Sequence, residues 1–490
     1  MNAAAPSVVA DHRRRLGLPR SAAMQASLLL LAAFVTRGAL FGNPLVHSDE
    51  GFYLLVGNRM MHGAWPFVDI FDRKPVGLFL IFAAIRSVGG DGILTYQVAA
   101  TLCATATAFL ATRIARRFCS PGAAFAGGLC YLVWLVVFDG GGGQASVWYG
   151  LPMAGAGLLA IDGIRERRRL SRRGAAAMLL VGVAMQIKYT AMFEGVFFAL
   201  ALLRAGWLAG RPLHRIGRDA ALWIVLALLP TAIALAVYMA AGHGEAFIFA
   251  NFVSIFGQGD PDTAATNAVK LLEAAALASP LGWLAIRGGW RAWPALEWAA
   301  IALIAVLMMG TAEQHYFIPV MLPLSIAAAA GLNDRGCTFA LRRCVAMLAI
   351  GLALAALVTT LRIRQRGTPA QAAALARMVG DRPAGCMFGF NSEPILYYLT
   401  RSCLPTRYIF RSHLGQTSEV HGIDTDPVAE TARILARDPG LIVIRTPKPT
   451  TNPATQALVL RAVADRYRLV GTVRIGRLRQ YVFRLRRARR

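Results

Sequence analysis

The sequence predicts a polytopic α-helical membrane protein of about eleven transmembrane helices, followed by a small C-terminal α/β domain of roughly 120 residues. Three observations carry this. Of the 490 residues, 56% are hydrophobic, and they gather in runs near twenty long, which need lipid rather than a protein core. The net charge of +26 comes from 52 Lys plus Arg against 26 Asp plus Glu, and the basic residues fall mainly between the apolar runs. That is the pattern of loops facing anionic lipid. From Arg362 onward, short β-rich stretches alternate with helical ones.

The first run, Met24 to Phe41, follows Arg13, Arg14, Arg15 and Arg20. It is long for a secretory signal, and no small-residue cleavage site precedes His47, so it reads as an uncleaved first span. The spans fall at 24–42, 94–112, 122–138, 147–163, 174–187, 190–204, 219–241, 269–286, 294–310, 316–332 and 343–361. Basic loops follow the second, fourth and sixth spans (RIARRF, RERRRLSRR, RPLHRIGR). Arg287 and Arg291 follow the eighth, and Arg335, Arg342 and Arg343 follow the tenth. All lie on the side of the N-terminus, which is therefore cytoplasmic. The odd count then puts the tail outside. Residues 1–361 form the membrane domain, with an outer first loop at 43–93, and 362–490 form the outer domain.

In that domain CMFGF, RYIF, GLIVIR, LVGTVRI and QYVFRLR read as strands. EPILYYLTR, VAETARILARD and ATQALVLRAVADRY read as helices. Of seven cysteines, only Cys386 and Cys403 fall there. In an oxidising compartment they are expected to pair. No CxxC pattern points to zinc, and no helix-turn-helix motif accompanies the basic charge, so nucleic acid is excluded as a partner.

The chemistry-bearing residues cluster in the first outer loop. Asp49 and Glu50 sit at the exit of the first span, where ionisable groups are paired, hydrated or used. GFYLLVGNRMMHG reads as a short amphipathic helix in the membrane interface, with Asn58 and Arg59 on its polar side. Asp69, Asp72, Arg73 and Lys74 follow, between Pro66 and Pro75. A carboxylate here can act as general base or hold a divalent metal ion, the one cofactor these residues suggest. Arg73 and Lys74 suit the phosphate of a lipid, or else snorkel to headgroups. Lys188 lies in a tight hairpin between two apolar runs, a costly place unless it meets water or an anion. His315 and Tyr316 top a span containing Pro319 and Pro323. DGGGGQAS, with Asp139 and Gln144, lacks the Lys and Ser/Thr of a phosphate loop and reads as a plain hairpin.

Asp49, Glu50, Tyr53, Gly63, Pro66, Asp69, Lys74 and Pro75 together resemble the first-loop pattern of the GT-C membrane glycosyltransferases. The nearest group is glycosyltransferase family 39 with the aminoarabinose transferases. The Lys188 hairpin, His315-Tyr316 and the outer α/β tail are similar to that family as well. The resemblance implies a polyprenyl-phosphate sugar donor, a hydroxyl acceptor on a lipid, glycan or protein, and inverting transfer on the outer face. It also implies a place in a bacterial inner membrane and a role in modifying cell-envelope lipopolysaccharide or glycan. Asp49 is implied as catalytic base, with Glu50 beside it. Arg73, Lys74 and Lys188 are implied to hold donor phosphate, and Tyr53, Asp69, His315 and Tyr316 to line the substrate site. The chain departs from the pattern twice. Lys74-Pro75 is followed by Val76 rather than Pro. Ser146-Val147-Trp148 stands where many relatives carry a Glu. Adjacent helical residues point about 100° apart, so one of Asp49 and Glu50 is expected to do chemistry and the other to hold structure.

Two other classes fit an apolar bundle. A transporter or flippase would show repeated halves and charges near the midplane, whereas the charges here sit at span ends. A non-catalytic assembly subunit could dispense with Asp49 and Lys74.

Overall fold

A computed structural model describes residues 21–167, 169–259, 263–332 and 337–486. Arg13, Arg14, Arg15, Arg20, Arg335 and the last four residues of the basic tail lie outside them.

Each expected span coincides with a helix. These are α1 (Ala22–Arg37), α4 (Ile93–Ala115), α5 (Pro121–Val137), α6 (Ala145–Glu166), α7 (Leu170–Met185) and α8 (Ala191–Leu208). The series continues with α9 (Leu213–Ala240), α11 (Ala264–Arg287), α12 (Trp293–Leu307), α13 (Ile318–Gly331) and α14 (Cys337–Arg366). Among the described residues, eight helical segments are long and apolar enough to cross a membrane. α5, α7 and α13 are shorter, at 17, 16 and 14 residues. α13 lies almost wholly inside the bundle, in keeping with its run of small residues, IAAAAG.

Two further helices stand between α1 and α4: α2 (Ser48–Met60) and α3 (Val76–Ser87). α2 is the segment expected to float amphipathically in the interface, and the structure corrects that. Phe52, Tyr53, Leu54, Leu55 and Val56 are all buried, so no face of this stretch is left to lipid. Two glycines permit it. A Cβ on Gly57 would lie 2.6 Å from the Phe82 backbone of α3. A Cβ on Gly51 would lie 2.8 Å from Ile395, in α16 (Ile395–Leu399) of the C-terminal domain.

α10 (Gly244–Ile248) lies in the 242–268 loop. Beyond α14, Thr368 caps α15 (Pro369–Val379) in a reciprocal box with Gln371. The sheet domain follows. Its strands β1 (Met387–Phe390), β2 (Leu441–Arg445), β3 (Tyr467–Ile475) and β4 (Leu478–Leu485) lie in the order β1-β2-β4-β3. β1 and β2 are parallel, and the other pairs antiparallel. A parallel pair needs a crossover, and the chain between them carries α16 and α17 (Pro427–Ala436). α18 (Pro453–Arg466) precedes β3. Cys386 and Cys403 are disulfide-bonded.

RYIF, expected as a strand, is not one. Its backbone and rings are used against the first loop instead. Phe71 N–H donates to the Arg407 carbonyl at 3.0 Å, Phe71 packs on Tyr408 at 5.5 Å between centroids, and Phe52 packs on Phe410 at 5.1 Å. The C-terminal domain thus sits directly on the loop that carries the acidic pair.

Candidate active site

His47 caps α2: its backbone is extended and its Nδ1 accepts from Asp49 N–H at 3.2 Å. This places Asp49 and Glu50 in the first turn, where the helix dipole favours a negative charge. The two then diverge. Glu50 is fully buried and accepts from Tyr96 Oη–H at 3.2 Å. Burial pushes its carboxyl up to about 8, against the pull of the Gly143 amide and Arg37. Asp49 remains partly open. Burial alone would raise its carboxyl, but His47, His315, Lys74 and Arg411 hold it below the usual range, so it is a carboxylate at neutral pH.

The four-glycine loop is not a plain hairpin. Arg37, inside the first span and wholly buried, donates to the Gly140 and Gly142 carbonyls at 2.5 Å each and to Thr101 Oγ1 at 3.0 Å. A Cβ on Gly142 would stand 1.9 Å from Glu50 Oε2. The glycines let backbone pass where side chains cannot.

At the head of that loop Asp139 is gripped by α14. Arg366 donates to both its oxygens, at 2.8 and 2.5 Å, and Arg362 lies 3.4 Å away. Despite burial, the two guanidiniums hold this carboxyl well below its ordinary value. His47 stands between the two carboxylates, with Nδ1 3.6 Å from Asp49 and Nε2 3.8 Å from Asp139. His315 packs edge-on against His47 at 4.9 Å and against Tyr316 at 4.5 Å. Burial, with His47 second, pushes His315 far below its usual value, and burial lowers His47 as well.

His47, Asp139 and His315 offer ligand atoms within 4.8 Å of one another. The donor set fits a divalent ion poorly. Both Asp139 oxygens are already bonded to Arg366, and an ion would sit against two guanidiniums.

The cations expected to hold phosphate separate. Lys188 Nζ lies 4.6 Å above the Tyr316 ring and 3.4 Å from Ser146 Oγ. Burial, with Lys74 second, lowers its ammonium to about 7. Lys74 is opposed by burial, yet Tyr316, Asp72 and Asp49 hold its charge above the ordinary value. Lys74, Lys188, Tyr316 and Asp49 are thus mutual neighbours. Tyr53 joins them, its buried hydroxyl without a partner among the described residues.

Arg73 does not join them. Its guanidinium binds Glu419 at 2.6 and 3.2 Å, Ser254 at 2.7 Å and the Gly422 carbonyl at 2.5 Å. Asp69 accepts from Trp65 N–H at 2.7 Å and closes an exposed turn. Sequence reasoning passed over His47, Arg37, Arg366, Glu393 and Arg411. Arg37 carried a signal, since a charge inside an apolar span calls for a partner. The others come from distant segments with no local pattern.

The fold so described is shared with solved membrane-protein structures at low sequence identity. Two solved structures of ArnT from Cupriavidus metallidurans share it. The apo state matches with a TM-score of 0.61 at 18% identity over 94% of this chain and 97% of that one. The state bound to undecaprenyl phosphate matches with a TM-score of 0.60 at 17% identity, over the same shares. The mycobacterial arabinofuranosyltransferase AftD matches with a TM-score of 0.50 at 13% identity over 96% of this chain, which spans 40% of AftD. No family model matches the chain, and no curated protein does.

Proposed function

We propose that this protein is an integral membrane glycosyltransferase that moves a sugar from a polyprenyl-phosphate donor to a hydroxyl acceptor. The observation that carries the reading is the convergence of an ionised Asp49 with Lys74 and Lys188 at one end of a helical bundle. Likeness of fold to a protein solved with undecaprenyl phosphate supports it.

The chemistry follows from the leaving group. Phosphate departs with the electron pair of the bond to the anomeric carbon, and Lys74 and Lys188 meet the charge it takes on. The acceptor hydroxyl is a weak nucleophile near neutral pH, so Asp49 takes its proton as the new carbon–oxygen bond forms. Asp49 acting as base on the acceptor hydroxyl corresponds to a single inverting displacement. Tyr53 and Tyr316 line the site, His47 and His315 hold Asp49 in place, Glu50 is structural, and Arg73 docks the C-terminal domain. Asp69 stands in an exposed turn apart from this chemistry. In this reading the site faces outward from a bacterial inner membrane.

The test is transfer of labelled sugar from polyprenyl-phosphate donors to extracted envelope glycolipids by the purified chain. Asp49→Asn should lower turnover by about 10²–10⁴-fold, the range for a lost general base, with little change in thermal stability. Near-normal turnover in that variant would end the assignment.

A further inference from the structure

Beside Asp49 lies a second charged group that the transfer chemistry leaves unused. Ser48 Oγ–H donates to Glu393 Oε2 at 2.5 Å. Glu393 also accepts from Arg445 at 2.9 Å and Arg411 at 3.3 Å. Glu393 therefore bonds two guanidiniums, with exposed Lys448 within electrostatic reach of both and the Asp49 carboxylate within reach of Arg411. A buried donor left without a partner is costly unless a ligand completes it. Donors in this group also lack partners. Arg445 is 6% exposed, and its Nε has no partner among the described residues. Gln480 lies directly across from Arg445 in the β2–β4 register, so the two share a face. It is fully buried with neither amide atom paired. Arg411 is 28% exposed and, among the described residues, its side chain makes one bond, at 3.3 Å, which leaves most of its five donors open. Asn391, next to the end of β1, sits at φ +56° with its Nδ2 unpaired. Such conformations persist where surrounding structure holds them, and they gather at ligand sites.

We infer that Arg411, Arg445 and Lys448 form an acceptor subsite for an anionic sugar group, a carboxylate or a phosphate ester, next to the hydroxyl that is glycosylated. The inference rests on the glycosyltransferase reading. It adds that donor and acceptor anions are held by different cations. Lys74 and Lys188 come from the membrane domain, and Arg411, Arg445 and Lys448 from the sheet domain. Asp49 lies between them, one residue from Ser48.

The experiment is saturation-transfer NMR on the purified full chain with undecaprenyl phosphate present, using galactose, galacturonate and galactose 6-phosphate as probes. Galacturonate or galactose 6-phosphate should show at least threefold more saturation than galactose, and the stronger of the two names the anion. Arg411→Gln should remove that excess. So should Lys448→Gln, which breaks no ion pair among the described residues and guards against misfolding. Equal signals from all three probes, or an anionic signal unchanged in both variants, would overturn the subsite. Failure of undecaprenyl phosphate to bind would count against the donor reading instead, because the probe comparison is read separately.

Discussion

Asp139 and Arg366, 227 residues apart in the chain, meet through two parallel hydrogen bonds of 2.8 and 2.5 Å. The same guanidinium donates to the Val46 carbonyl at 2.5 Å, one residue before His47. The end of α14 therefore fixes both the glycine loop and the start of α2, and with them the direction of Asp49.

Asp139→Asn should be the most damaging of the conservative changes. It leaves Arg362 and Arg366 facing no charge in a buried place. The expected loss is at the lower end of the ~3–5 kcal/mol seen when one partner of a buried pair is removed, since Arg366 keeps some contact with water. Thermal denaturation in detergent measures it. A melting point equal to wild type would show that the pair does not hold the loop.

Glu50→Gln should preserve the fold and flatten one pH dependence. The Glu50 carboxyl is raised from its ordinary 4.5 to about 8. Its contribution to stability is therefore fully present below about pH 4.5 and is lost as pH rises through 8. Wild-type melting points should fall from pH 5 to 8.5 more steeply than those of Glu50→Gln. Parallel curves would mean that Glu50 is ionised throughout.

Lys74 and Arg73 adjoin in sequence and should separate in effect. Lys74→Ala should weaken undecaprenyl phosphate binding by roughly 1.5–3 kcal/mol, the scale of a hydrogen bond to a charged group. Arg73→Ala should leave that affinity within a few-fold and expose the C-terminal domain to protease, because it frees Glu419. Equal losses of affinity in both variants would return Arg73 to the donor site.

Lys188 sets a pH dependence of donor binding. Its ammonium is lowered to about 7, so in the free protein it loses charge as pH rises through 7. Undecaprenyl phosphate affinity should worsen from pH 6 to 8 relative to Lys188→Met. The second ionisation of phosphate, near pH 6, is common to both proteins and cancels in the comparison. An identical profile in the variant would remove Lys188 from the phosphate.

The helices were legible because apolar length is a local signal. So were Asp49, Lys74 and Lys188, where charge stands against apolar surroundings. α2 is not interfacial because its apolar residues are buried by α3 on one side and by a domain more than 300 residues away on the other, and no periodicity in the segment itself records those partners. RYIF has strand composition, but its exposed edge was used for docking rather than pairing. Arg73 looked like its neighbour Lys74 until Glu419 came into view. The four glycines read as a plain hairpin because their reason, the approach of Glu50 and Arg37, exists only in three dimensions.

The contacts of Ser48 with Glu393 and of Arg73 with Glu419 join residues 345 and 346 positions apart. A ribosome adding about 5–20 residues per second needs roughly 20–70 s to travel that far. For this interval the nascent chain carries its first helices and its acidic pair but neither of these carboxylate partners. The site is closed by the last quarter of the polypeptide, so a prematurely terminated product would enter the membrane with its centre unassembled. The order of synthesis therefore makes residues 393–419 the piece that the first outer loop waits for.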